Sequence, residues 1–166
     1  KVLDESLAWC DGALIGGKTL RAHRSTCLIR SKTLIEHRIS QGRPEQPVAL
    51  VVSRQQGVDL EALFFKQPIQ RWLIQPCDCS HKEPSEPFPA FGFHREICLG
   101  NDWPETLNVI FKLGMSRLLL LGGAELATSF LQSDCVDELQ LTLSPRILGG
   151  SYSWVNSGTK DLPLGL

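Results

Sequence analysis

The sequence predicts an α/β domain built around a mostly parallel sheet. Three observations carry that prediction. Apolar runs of strand length alternate with amphipathic helical patterns along the chain. The runs are continuously apolar, as strands covered on both faces are, rather than alternating. Two of them, Ala13-Leu14-Ile15 and Leu118-Leu119-Leu120-Leu121, end in a Gly-Gly pair, Gly16-Gly17 and Gly122-Gly123.

Residues 4–10 read as a short helix with Leu3, Leu7 and Ala8 on one side, ended by Asp11-Gly12. The first buried strand follows and feeds Gly16-Gly17. Residues 19–24 begin a helical turn and then become irregular, and Leu28-Ile29 reads as extended. Residues 31–46 are polar and run into Gly42, Pro44 and Pro47, which predicts mostly loop. Residues 47–53, Pro-Val-Ala-Leu-Val-Val-Ser, form the clearest strand, and residues 71–74 a second. The stretch 76–89 holds four prolines and two cysteines and is loop. Ile97-Cys98-Leu99 is the strand-like part of 91–99.

A helix over 102–112 is well signalled. Asp102 caps it, Pro104 sits in its first turn, Glu105 completes a capping-box pattern, and Gly114 stops it. Leu107, Ile110 and Phe111 form its apolar face. A strand over 117–121 leads through Gly122-Gly123 into a helix over 124–132 that buries Leu126, Phe130 and Leu131. Residues 136–144, with Leu139, Leu141 and Leu143 alternating against polar partners, predict a last strand before Gly149-Gly150. There is no internal repeat.

A chain of 166 residues is one ordinary domain, burying roughly 70% of its unfolded surface, and needs neither disulfides nor metal to hold a core. Its 42% hydrophobic and 21% charged residues exclude a disordered tail, a collagen-like rod and a coiled coil. With 17 basic against 18 acidic residues it lacks the footprint of a nucleic-acid binder. No apolar run approaches a membrane span, and Asp4-Glu5 sit where a signal peptide would be apolar. The expectation is a soluble cytoplasmic protein. Its six cysteines then read as free thiols acting as small hydrophobes.

The two glycine turns are the first chemical feature. A buried strand that ends in glycine and opens a helix exposes backbone N–H groups to which a phosphate can approach closely. Two such turns from one sheet suit a pyrophosphate or a nucleotide beyond the carboxyl ends of the strands. Read by themselves they are equally compatible with two tight turns. Neither fits the dinucleotide Gly-x-Gly-x-x-Gly pattern or the P-loop. Ser53-Arg54, closing the strongest strand, offers a hydroxyl and a guanidinium suited to a ribose phosphate. Cys77, Cys79 and His81 have no second cluster to complete a tetrahedral site, so no metal is expected. His37 and His94 lack a paired acid at a telling spacing.

Three segments together resemble the reductase domain of riboflavin biosynthesis, a pyrimidine reductase of dihydrofolate-reductase-like three-layer α/β/α fold with a mostly parallel central sheet. They are residues 11–22 with Leu28-Ile29-Arg30, residues 120–131, and Val136-Asp137-Glu138-Leu139 through Leu143-Ser144-Pro145 to Leu148-Gly149. The resemblance runs over nearly the whole chain in order and spacing. It implies NADPH as cofactor and hydride transfer to C1 of the ribosyl group of an aminopyrimidine phosphate such as 5-amino-6-(5-phosphoribosylamino)uracil, a small nucleotide-like substrate. It implies that Gly16, Gly17 and Thr19 border the cofactor and that Ser53 and Arg54 meet its 2′-phosphate. Gly122, Gly123, Ala124, Glu125 and Leu126 would hold its pyrophosphate. His23, Cys27, Arg30 and Leu121 fall on the substrate side, with Arg30 toward the substrate phosphate. No catalytic acid or base is implied.

The sequence departs from the family at three substrate-side positions. His23 replaces an acidic residue, Ser25 a proline, and Leu121 the glutamate that precedes Gly-Gly. Cofactor binding therefore survives the comparison better than substrate identity. A non-catalytic NADP-binding paralogue and a pterin or dihydrofolate-type reductase are the alternative readings. The resemblance further implies a homodimer, with Arg71-Trp72 and Trp154 as interface candidates. It also implies a single reductase-type domain over 1–166 without the family's first strand, which carries Ser-x-Asp-Gly, and without its last strands.

Overall fold

The computed structural model describes residues 2–54, 59–76 and 92–141. Within them lies a five-stranded sheet in the order β4-β3-β2-β1-β5, parallel at every pairing. The strands are β1 (Gly12–Gly16), β2 (Val48–Val52), β3 (Arg71–Pro76), β4 (Arg95–Leu99) and β5 (Leu118–Leu120). The helices are α1 (Val2–Trp9), α2 (Gly17–His23), α3 (Lys32–Ser40), α4 (Leu63–Lys66), α5 (Trp103–Lys112) and α6 (Ala124–Gln132).

Alternation along the strands sends side chains to two apolar layers. Leu14, Leu50, Trp72, Ile74 and Ile97 face α5 and α6 through Trp103, Ile110, Leu126 and Phe130. Ile15, Ala49, Val51 and Leu73 face Leu20 of α2 and Phe64 of α4. Ala13 and Leu119 extend that second layer to Leu7 of α1 and Leu34 and Ile35 of α3. This is the three-layer α/β/α arrangement. On the α5–α6 side, the Trp103 ring lies 4.2 Å from that of Phe130 and its Nε1–H donates to Ser129 Oγ at 2.7 Å, which fixes the two helices together.

The opposite end of the sheet, at the strand N-termini, is held by charge. Asp11 accepts the amides of Ser116 (3.1 Å) and Arg117 (2.9 Å) and the Arg43 guanidinium (2.8 Å), tying β1 to β5 and to the loop before β2. Burial works against its ionisation, but those two amides and the Arg43 and Arg117 guanidiniums outweigh it and hold the carboxyl below the usual aspartate range. Arg38 is 1% exposed. It donates to the carbonyls of Ala8 (2.9 Å) and Cys10 (2.7 Å) at the end of α1, and to Pro44 (2.8 Å).

Several expectations are corrected. The polar stretch 31–46 contains α3, because Arg38 is buried against carbonyl oxygens where an apolar residue would usually provide the contact. Residues 19–24 do not wander; α2 runs from Gly17 and closes at Arg24, whose φ is +57°. Leu28-Ile29 joins no strand: glutamine side chains substitute for a neighbour. Gln46 pairs with the N–H and C=O of Ile29 (2.8 and 3.1 Å), and Gln67 pairs with those of Thr26 (3.0 and 2.9 Å). Residues 136–141 form no strand. Leu139 and Leu141 are 40% and 61% exposed, so among the described residues their alternation has no strand to pack beside. Phe111 faces solvent rather than the α5 contact. Cys10, Cys27 and Cys135 are free thiols as expected, but Cys98 is disulfide-bonded. Trp72 is buried in the core and is not an exposed interface residue. Cys77, Cys79, His81, residues 142–144 and Trp154 lie outside the described residues.

Candidate functional site

Chain order reverses direction beside β1: β2, β3 and β4 are added on one side, β5 on the other. After β1 the chain enters α2 on one face of the sheet; after β5 it enters α6 on the opposite face. The carboxyl ends of β1 and β5 are therefore the switch point of the sheet, the place where open α/β sheets form a crevice that accepts ligands.

Both glycine turns border this crevice and touch each other. The Gly16 N–H donates to Gly122 O at 3.1 Å, and the Leu121 N–H to Leu14 O at 2.9 Å. Gly122 has φ +107° and Gly123 φ +32°, conformations that L side chains rarely adopt, so the second turn requires glycine. A Cβ on Gly123 would also fall 2.6 Å from Thr19 Oγ1. Thr19 thus closes one turn against the other. A Cβ on Gly17 would fall 2.7 Å from Ser53 Oγ, which places the end of β2 against the start of α2. No side chain caps the N-terminus of α2 or α6. The first-turn amides of α6 are in consequence available to an anion, and its dipole favours one.

Ser53 is buried, its N–H on Ile74 O at 3.0 Å, while Arg54 is exposed. Ala124 and Glu125 stand in the first turn of α6, followed by the buried Leu126, whose Cβ would lie 3.9 Å from one on Gly16. Glu125 accepts from Lys18 Nζ at 2.5 Å across the crevice. The Lys18 hydrogen bond and charge, with a smaller contribution from Arg54, hold the Glu125 carboxyl below its ordinary range. All ten expected cofactor residues are therefore gathered at the ends of β1, β2 and β5 and in the helix turns that follow.

The expected substrate residues are less united. His23 is exposed at the end of α2, and Cys27 and Arg30 are exposed on the segment that Gln46 and Gln67 clamp. The Arg30 N–H donates to Asp4 Oδ2 at 3.3 Å. Leu121 is half-buried against the cluster of Leu7, Cys10, Ala13 and Ile29. Sequence reasoning missed Lys18, Gln46 and Gln67. Lys18 was legible only as a cation inside the first glycine motif; the glutamines carry no local signal, because their partners lie 17 and 41 residues away. Two concavities of about 450 and 530 Å³ lie elsewhere, at the start of β3 and along β4 and α5, and contain no residue of the glycine turns. Among the described residues no cluster of His, Cys, Asp and Glu could hold a metal ion, and no helix is long and apolar enough to cross a membrane.

Two glycine turns that meet at the switch point of a parallel sheet, with an arginine beside them, are features suited to an anionic ligand such as a nucleotide. Comparison with known proteins carries the class further. Residues 1–162 match the model of the RibD C-terminal domain, and the chain belongs to that family. It is 25% identical over 153 residues to the 2,5-diamino-6-ribosylamino-4(3H)-pyrimidinone 5′-phosphate reductase of Aquifex aeolicus, covering 90% of this chain and 63% of that protein. It is 26% identical over 157 residues to the protein of the same name from Archaeoglobus fulgidus, covering 92% and 70%. The chain thus spans about two thirds of the length of these relatives. Among solved structures, RibD of Acinetobacter baumannii superposes with a TM-score of 0.73 at 19% identity, over 99% of this chain and 44% of that one. A pyrimidine reductase-like protein of Corynebacterium diphtheriae superposes at 0.68 and 16%, over 89% and 63%. The architecture is accordingly that of the dihydrofolate-reductase-like reductase domains.

Proposed function

We propose that this chain is an NADPH-dependent reductase that acts on a ribosylaminopyrimidine 5′-phosphate and delivers its ribitylamino product. The observation that carries the reading is the meeting of both glycine turns at the reversal of the sheet, with Ser53 and Arg54 beside them. The names of the curated relatives support the substrate class.

The described residues fit a phosphorylated dinucleotide. Positions 17 and 123 admit no side chain, and the α6 amides carry no cap. In this reading Gly122, Gly123 and Ala124 bind the pyrophosphate through backbone N–H groups and the helix dipole. Ser53 and Arg54 take the 2′-phosphate, where a guanidinium fork gives preference for NADPH over NADH. The nicotinamide cofactor, when bound, supplies the hydride. Gly16 and Thr19 bring the backbone of β1 up to the reacting end, and Arg30 receives the substrate phosphate. The protein's contribution is then chiefly to hold two ligands end to end and exclude water, and no acid or base side chain is assigned. The same reading has the protein working as a cytoplasmic homodimer.

One observation favours a second reading. Leu121 supplies no polar group where the family has glutamate, and its side chain leans on an apolar cluster. A protein that kept the cofactor crevice and lost this substrate would look the same on that side. Steady-state assays separate the two. Oxidation of NADPH dependent on the ribosylaminopyrimidine phosphate supports the reductase. NADPH binding without turnover of that substrate overturns it in favour of the paralogue.

A further inference from the structure

Lys18 and Glu125 stand in the first turns of the two helices that leave the glycine turns, 107 residues apart in sequence, and meet over the crevice at 2.5 Å. Their side chains are 74% and 65% exposed, so the pair is solvated on its outer side and weak in itself. Its position gives it meaning. Glu125 places a negative charge at the uncapped N-terminus of α6, where the amides favour an anion. A carboxylate there competes electrostatically with a diphosphate, and it engages the Lys18 ammonium that a diphosphate would otherwise attract. Arg54, also exposed, acts on the same carboxylate from the β2 side.

We propose that the Lys18–Glu125 pair is an exchangeable latch on the crevice: Glu125 holds Lys18 while no dinucleotide is bound, and Lys18 transfers to the dinucleotide diphosphate on binding. This rests on the NADPH reading above and deepens it, because it makes Lys18 a ligand of the cofactor and Glu125 the group that sets its affinity. A charge-assisted bond to a diphosphate replaces a solvated ion pair, so the exchange runs toward the ligand. Glu125 then weakens binding of the diphosphate, and its contribution to the fold is only that of an exposed carboxylate in a helix first turn paired with an exposed lysine.

The test is a double-mutant cycle on the intact protein, with NADPH and inorganic pyrophosphate titrated into wild type, K18Q, E125Q and the double variant. Thermal unfolding of each variant checks that all four are folded. Loss of the Lys18 contact weakens NADPH by about tenfold in K18Q. Removing the competitor strengthens it several-fold in E125Q, and raising salt shrinks the difference between E125Q and wild type. In the K18Q background the E125Q gain shrinks to the share that comes from removing the carboxylate's own repulsion of the diphosphate, because there is no lysine left to release. Pyrophosphate follows the same order more weakly. An E125Q gain that is equal in both backgrounds, or an E125Q variant that binds no better than wild type, overturns the latch while leaving the cofactor reading intact. Folded wild type that binds neither NADPH nor NADH overturns both.

Discussion

Replacing Gly17 by alanine tests the junction between the first glycine turn and the end of β2. The added methyl carbon falls 2.7 Å from Ser53 Oγ and 2.9 Å from Ser53 Cβ, closer than real Cβ contacts come. Ser53 has little room to yield: it is 6% exposed and its amide is fixed to Ile74 O at 3.0 Å. Overpacking of this kind costs about 1–3 kcal/mol. Alanine in place of a helical glycine returns about 0.5–1 kcal/mol. The net loss is about 1 kcal/mol, which lowers Tm by roughly 2–4 °C in a domain of this size. Gly16→Ala is the control. Its added carbon finds nothing nearer than 3.8 Å, and its φ of −71° suits alanine. The entropic gain and the poorer N-cap offset each other to within about 0.5 kcal/mol. Paired thermal unfolding curves decide the matter, and NADPH titration follows. Gly17→Ala is expected to be the less stable of the two and, with Ser53 displaced, to bind NADPH more weakly than wild type. Equal melting temperatures for the two variants and wild type would refute the packing argument.

Other consequences are direct. Asp11 has a lowered folded pKa, so its contribution is complete above about pH 4 and is lost as pH falls through that lowered value. Asp11→Asn should cost about 2–3 kcal/mol at neutral pH and flatten the acid limb of a stability–pH curve; an unchanged acid limb would contradict the assignment. Arg38→Met leaves Pro44 O without its 2.8 Å donor, while Arg43 still serves Ala8 and Cys10. Denaturant unfolding should register a loss of about 2–3 kcal/mol, which Arg38→Lys does not rescue because an ammonium has no fork to span these carbonyls.

The parts of the fold that were legible in the sequence are those whose signals are local. The cap of α5 is an example: Asp102 accepts the Glu105 N–H at 2.8 Å, as the spacing of the two residues predicts. The bounds of α6 follow from a Gly-Gly pair before it and an apolar stripe within it. Strands β1, β2 and β3 are continuous apolar runs, which a sheet covered on both faces demands. What escaped notice depends on partners far along the chain. Helix α3 is held by a buried arginine whose acceptors are Ala8 in α1, Cys10 just past it and Pro44, so its own sequence looks like loop. Val136-Asp137-Glu138-Leu139 alternates as a strand would, yet no strand among the described residues lies beside it, and alternation alone does not make one. In the crevice, both glycine turns and Ser53-Arg54 could be singled out from the residues alone. Their approach to one another depends on the pairing of β1 with β5 and with β2, which no local pattern encodes.

Whether the ends of β1 and β5 hold NADPH is decided by calorimetric titration of NADPH and NADH into wild type and Arg54→Ala. NADPH is expected to bind more tightly than NADH to the wild type, and Arg54→Ala to reduce this preference while leaving NADH nearly unaffected. Folded wild-type protein that binds neither nucleotide, or binds both equally with no effect of Arg54, would contradict it.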